Sequence, residues 1–174
     1  MPQPQDKTVL VVDDEPNVRD YLAQILRDAG FQVVTAADGE EALHMVRRDP
    51  PDFISLDLVM PRKSGHKFLY ELRKDKKLAQ IPVLIVTAHA QDELGRPELE
   101  EIMKNRVICG PGSYLEKPVK PAGYVRCVQR ALGIEETGET EDRLALQQEL
   151  QEHLAKADPG ALRRALEALK KKKP

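Results

Sequence analysis

The chain has 174 residues, 32% of them charged, and a formal net charge of −2. So even a balance creates no global field for nucleic acid or an anionic membrane, and neither is an expected partner. Hydrophobic residues make up 41% and aromatics 4%, so the core must be built from Leu, Val and Ala, in one full α/β domain with residues to spare.

Cys109 and Cys127 have neither the spacing of a metal pair nor that of a disulfide framework, and read as packed thiols in a reducing compartment. The first residues show no basic-then-apolar leader, and no apolar run could span a bilayer. A cytoplasmic protein without membrane insertion is the expectation. Residues 1–6 are expected to be disordered.

In chain order, residues 8–12 read as a first buried strand, followed by Asp13, Asp14 and Glu15. Pro16 is a favoured opening residue for a helix, whose apolar face is Val18, Leu22, Ile25, Leu26 and Ala29 and which Gly30 ends. Residues 31–35 are the second strand. A helix over 39–48 turns Ala42, Leu43 and Val46 inward. The third strand starts at Phe53 and ends in a single acid, Asp57, with Pro61 blocking continuation. A helix over 65–74 buries Phe68, Leu69 and Leu72. Residues 81–87 are the fourth strand, 98–105 a fourth helix, 113–116 the fifth strand and 121–132 the fifth helix.

Strands alternating with helices call for a flavodoxin-like, doubly wound three-layer sandwich, with a parallel five-stranded sheet in the order 2-1-3-4-5. That order sets the first and third strands side by side and gathers Asp13, Asp14 and Asp57 at one edge. Carboxylates ~4 Å apart at an effective dielectric near 20 repel by about 4 kcal/mol per pair, so a cation is needed. All-oxygen ligation points to a hard ion, Mg²⁺ before Zn²⁺. An ordinary helix-capping role is the alternative for Asp14 and Glu15.

Thr87 and Lys117 follow the fourth and fifth strands and open on the same side as the acids. A hydroxyl and an ammonium facing a metal-bound carboxylate are what phosphoryl transfer onto that carboxylate needs. His89, two residues past Thr87, and Val59, two past Asp57, are candidate modulators of phosphate lifetime. His44, His66 and His153 read as solvated helix residues, with no spacing of a ligand pair.

Four stretches in order resemble the receiver domain of bacterial response regulators: Val11 to Glu15, Leu56 to Pro61, Val86 to Ala88, and Tyr114 to Pro118. The resemblance covers residues 7–133. It implies that Asp57 accepts a phosphoryl group from a histidine kinase or phosphotransfer protein. Mg²⁺ would be held by Asp13, Asp14, Asp57 and the backbone carbonyl of Val59. It also implies that Thr87 and Lys117 bind the phosphoryl group, that the Lys117–Pro118 bond is cis, and that Thr87 and Tyr114 switch the face made by the fourth helix, fifth strand and fifth helix. The separation of Thr87 and Lys117 is several residues longer than the family usually has. The extra material lies within 91–97 or 107–112, on that output face. Two other functions use the same residues: a scaffold that ignores phosphate, and a Mg²⁺-dependent aspartyl phosphohydrolase. The second typically needs another acid where Val59 stands.

Residues 134–140 read as a polar linker and 141–173 as a helical hairpin. Its stripes are Leu144, Leu146, Leu150, Leu154 and Ala157, then Leu162, Ala165, Leu166 and Leu169. Such stripes need covering by the main domain or by a second copy, in a homodimer. The hairpin is too short for a winged helix and lacks a basic recognition helix, so a downstream protein is the expected reader.

Overall fold

Five parallel strands form one sheet in the order β2-β1-β3-β4-β5: β1 Thr8–Val12, β2 Gln32–Ala36, β3 Phe53–Leu56, β4 Val83–Thr87 and β5 Tyr114–Glu116. The computed structural model describes residues 2–88, 114–134, 146 and 158–171. The three central strands are almost unbroken apolar runs because helices cover both faces of the sheet. Leu10, Val12, Ile54, Leu56, Val83 and Ile85 point into one core layer, against Ala42 and Val46 of α2 (Gly39–Arg48) and Phe68, Leu69 and Leu72 of α3 (Ser64–Lys74). Successive strand residues face opposite ways, so Val9, Val11, Leu84 and Val86 face the other layer. That layer holds α1 (Pro16–Asp28) and α4 (Pro121–Ala131), which touch each other.

Local chemistry sets the ends of these elements. Pro16 opens α1, and Gly30 just beyond it takes a left-handed φ of 92°. Asp38 caps α2 by accepting from the Glu40 and Glu41 N–H groups, while the Glu41 carboxylate reaches back to the Ala37 N–H. The fourth strand starts two residues later than the sequence suggests. Pro82 has no N–H for the ladder and contributes only its carbonyl, which accepts from Ile54 N at 3.0 Å.

The N-terminus departs from expectation. Pro4–Asp6 form a 3-10 turn, and Gln32 of the edge strand β2 donates to the Gln5 carbonyl at 2.8 Å. The side-chain amide of this edge-strand residue, rather than its backbone, holds the N-terminal segment.

The chain divides into two units, Met1–Glu136 and Thr137–Pro174. In the second, α5 (Pro159–Lys171) starts after Asp158, whose carboxylate accepts from the Gly160 N–H at 2.6 Å. The expected helix over 98–105, the segments 91–97 and 107–112, and the first helix of the hairpin lie outside the described residues, apart from Leu146. No helix among the described residues is long and apolar enough to cross a membrane.

Candidate functional site

The ladder continues one residue beyond β1 and β3. Asp13 N donates to the Ala36 carbonyl at 3.2 Å, and Asp57 N to the Val12 carbonyl at 2.9 Å. The two acids are therefore fixed at the carboxyl edge of neighbouring strands, 1% and 3% exposed. Asp14 joins them half-buried, and one carboxylate oxygen of each of the three lies within 4.8 Å of the others. Lys117 reaches in from the end of β5. Its Nζ is 2.9 Å from Asp13 Oδ2, 3.2 Å from Asp57 Oδ2 and 3.8 Å from Glu15 Oε1. The backbone N–H of Lys117 donates to the Thr87 carbonyl at 3.0 Å, tying the lysine to the end of β4, and the Lys117–Pro118 bond is cis.

Burial away from water raises the Asp57 carboxyl to about 6, with the charge of Asp13 adding to the effect; Lys117 and the Val59 N–H pull the other way. Burial also disfavours the Lys117 ammonium, but the carboxylates of Asp13 and Asp57 prevail and hold it above the usual lysine range. Three carboxylates facing one shared ammonium leave an excess of negative charge on oxygen donors alone. Such a set fits a hard divalent cation.

Asp13, Asp14, Asp57 and Lys117 thus come together from three separate stretches of chain. Thr87 is fully buried at the end of β4. Because β3 and β4 pair Leu56 with Ile85, Thr87 ends one strand over from Asp57 and Leu58. The Val59 N–H donates to Asp57 Oδ1 at 3.0 Å, and the Val59 side chain is exposed. The capping alternative does not hold for Glu15, which stands at the N-cap of α1 without a side-chain hydrogen bond to the helix. It is Asp13 Oδ1 that accepts the Glu15 N–H, at 3.0 Å.

Tyr114 opens β5, paired with Ile85; its ring, His89 and His153 are outside what is described. His44 is exposed as expected. His66 is not solvated: it is half-buried on the first turn of α3 with both ring nitrogens shielded, because that turn packs directly on β3.

Sequence reasoning overlooked several supporting residues. Arg19 donates from Nη1 to the Asp13 carbonyl at 2.8 Å, and its place one helical turn after Glu15 was the available signal. Gly65 lies so close to β3 that a Cβ there would stand 2.5 Å from the Asp57 carbonyl oxygen. Ser55, two residues before Asp57 on the same face of β3, lies beside the fully buried Tyr124. Nothing in the sequence paired those two.

Comparison with known proteins gives a consistent picture. The response regulator receiver domain family matches residues 9–129. Over 116 residues the chain is 35% identical to the alkaline phosphatase synthesis transcriptional regulatory protein PhoP of Bacillus subtilis, covering 67% of this chain and 44% of that one. The chain therefore spans less than half the length of that regulator. Among solved structures it is similar to the chemotaxis response regulator CheY4 of Vibrio cholerae, with 31% identity and a TM-score of 0.61 over 72% of this chain and 98% of that one. It is also similar to the receiver domain of the sensor histidine kinase PA1611 from Pseudomonas aeruginosa, with 27% identity, a TM-score of 0.60, and coverage of 73% and 98%. That structure has a magnesium ion coordinated in its active-site cleft.

Proposed function

Because this chain belongs to the response regulator receiver domain family, we propose that it is a two-component signalling protein whose Asp57 accepts a phosphoryl group from the phosphohistidine of a histidine kinase or phosphotransfer protein. One observation carries this reading. The Asp57 carboxylate is buried at the sheet edge, held by Lys117 at 3.2 Å and the Val59 N–H at 3.0 Å, with Asp13 and Asp14 beside it.

In the transfer, a carboxylate oxygen of Asp57 attacks phosphorus and the P–N bond to the donor imidazole breaks. The electron pair leaves with the imidazole nitrogen. Asp13, Asp14, Asp57 and the Val59 carbonyl would hold Mg²⁺, which supplies positive charge against the phosphoryl oxygens. Lys117 adds a fixed ammonium on the other side, and the Thr87 hydroxyl donates to a phosphoryl oxygen. Burial serves the chemistry: a carboxylate removed from water and raised to about 6 is ionised at neutral pH yet more basic than an ordinary aspartate.

Thr87 and Tyr114, with His89 and Val59 as modulators, would carry the state of Asp57 to the face that includes β5 and α4. The output would go to a protein partner in the cytoplasm, with the segment after residue 133 as an added contact.

The test is incubation of the full chain with acetyl phosphate and Mg²⁺, followed by intact mass. One added phosphoryl group, lost in Asp57→Asn, is the expected result. No mass gain, or a gain that survives that substitution, overturns the proposal.

A further inference from the structure

The Asp13 carbonyl stands where the sheet stops. In a parallel ladder the N–H and C=O of one residue face the same neighbouring strand. Asp13 N donates to the Ala36 carbonyl at 3.2 Å, so its own carbonyl also faces β2. But β2 ends at Ala36, and the chain then turns into the Asp38 cap of α2. A buried carbonyl needs a donor, and the ladder has none left to give. Arg19, on the first turn of α1, supplies it, with Nη1 2.8 Å from the Asp13 oxygen.

The choice of acceptor is informative. Asp13, Asp14, Glu15 and Asp20 all lie within six residues of Arg19, yet its guanidinium forms no ion pair with a carboxylate among the described residues. It bonds instead to the peptide that joins two of the three clustered acids. Paired with a carboxylate, an arginine would compete with a metal for it; bonded to a carbonyl, it leaves the acid oxygens to other partners.

Asp14 is the residue this bond reaches. Asp13 is pinned at four points: its N–H on Ala36, Oδ1 under the Glu15 N–H at 3.0 Å, Oδ2 beside Lys117 at 2.9 Å, and its carbonyl on Arg19. The half-buried Asp14 carboxylate accepts no hydrogen bond among the described residues, although one of its oxygens lies within 4.8 Å of those of Asp13 and Asp57. What places it is the chain. Because the Asp13–Asp14 peptide is planar, holding its oxygen also fixes the direction of the Asp14 N and Cα.

We propose that Arg19 is a positioning residue for the divalent cation: through the Asp13 carbonyl it orients the Asp13–Asp14 peptide and so keeps the Asp14 carboxylate among the ligands. The inference rests on the reading of the acidic edge as the Mg²⁺ site of phosphoryl transfer. It carries a sign that charge alone would reverse. Taking a positive charge away from a cluster of acids favours binding of another cation. Taking away the bond that aims one ligand disfavours it, by about 10–100-fold for the outer partners of metal ligands.

The test titrates the isotope-labelled full chain with Mg²⁺ and no phosphodonor, reading affinity from amide NMR shifts. Arg19→Met removes the charge and the donor and should weaken Mg²⁺ binding about 10-fold or more; Arg19→Lys, which can donate to the same carbonyl, should recover part of the loss. Ile25→Val loosens the buried face of α1 further along the helix and should bind Mg²⁺ like wild type. In an Asp14→Asn background, Arg19→Met should cost less than about threefold, since the ligand it aims is already gone. Affinity unchanged or raised in Arg19→Met, with wild type binding Mg²⁺ normally, overturns the inference. So does an equal loss in Ile25→Val, which would trace the effect to the stability of α1, or the full loss in the Asp14→Asn background. A wild type that takes up no Mg²⁺ would instead overturn the reading of the acidic edge on which the inference rests.

Discussion

Gly65 packs against the backbone of Asp57 with no room for a methyl group: a Cβ on Gly65 would stand 2.5 Å from the Asp57 carbonyl oxygen and 2.9 Å from Leu58 Cα. Both clashing groups are backbone and cannot swing aside. Gly65→Ala should therefore push the first turn of α3 away from the end of β3. We expect a loss of about 2 kcal/mol in urea unfolding, together with slower labelling by acetyl phosphate. Unchanged stability would mean that α3 does not hold the Asp57 backbone in place.

Under the proposed function Lys117 would play two opposing parts, and its removal should separate them. Its ammonium lies 2.9 and 3.2 Å from the Asp13 and Asp57 carboxylates and would compete with a metal for them. In Lys117→Met, the affinity for Mg²⁺ measured by calorimetry should rise about tenfold. The rate of phosphoryl transfer to Asp57 should fall about 10²-fold, because a fixed charge facing the transferring oxygens is gone. Both changes in one variant are expected; weaker Mg²⁺ binding would contradict the competition.

The raised Asp57 carboxyl has a consequence for stability against pH. Its ordinary value is 3.8 and its folded value about 6. Between these, the folded protein keeps a proton that the unfolded chain has released, so stability falls as pH rises through this window. Above about 6 this group adds no further slope. In EDTA, the melting temperature should therefore decline from pH 4 to 6 relative to Asp57→Asn, which lacks the titration. Saturating Mg²⁺ should reverse the sign, since it binds the carboxylate form. Parallel profiles for wild type and Asp57→Asn in EDTA would contradict the burial argument.

Tyr124 separates packing from polarity. The ring is fully buried, and its hydroxyl lies beside Ser55 without a well-formed hydrogen bond; burial first, then the nearby Asp13, push its ionisation above the usual tyrosine range. Removing the hydroxyl in Tyr124→Phe should change stability by no more than about 1 kcal/mol. Emptying the site in Tyr124→Ala should cost about 3–5 kcal/mol. Chemical denaturation measures both. A large loss in the Phe variant would show that the hydroxyl has a structural partner.

Much of the fold could be read from local pattern. The apolar runs at 9–12, 53–56 and 83–86 are buried strands, and Pro16 and Gly30 mark the ends of α1, because these signals depend only on neighbouring residues. The acids at 13, 14 and 57 were legible for the same reason: Asp13 and Asp57 follow directly on strands, and Asp14 comes next after Asp13. Boundaries slipped where one residue's backbone chemistry intervened, as at Pro82, or where a segment found a distant partner, as Gln5 does in Gln32.

The sequence by itself determined the alternation of strands and helices and the placing of acids, hydroxyl and lysine at strand ends, since hydrophobic periodicity and turn chemistry are local. Only the tertiary structure decided that Lys117 bridges Asp13 and Asp57 and that Ser55 meets Tyr124. Those relationships depend on the packing of helices against the sheet, which brings together side chains tens of residues apart. No local pattern encodes that distance.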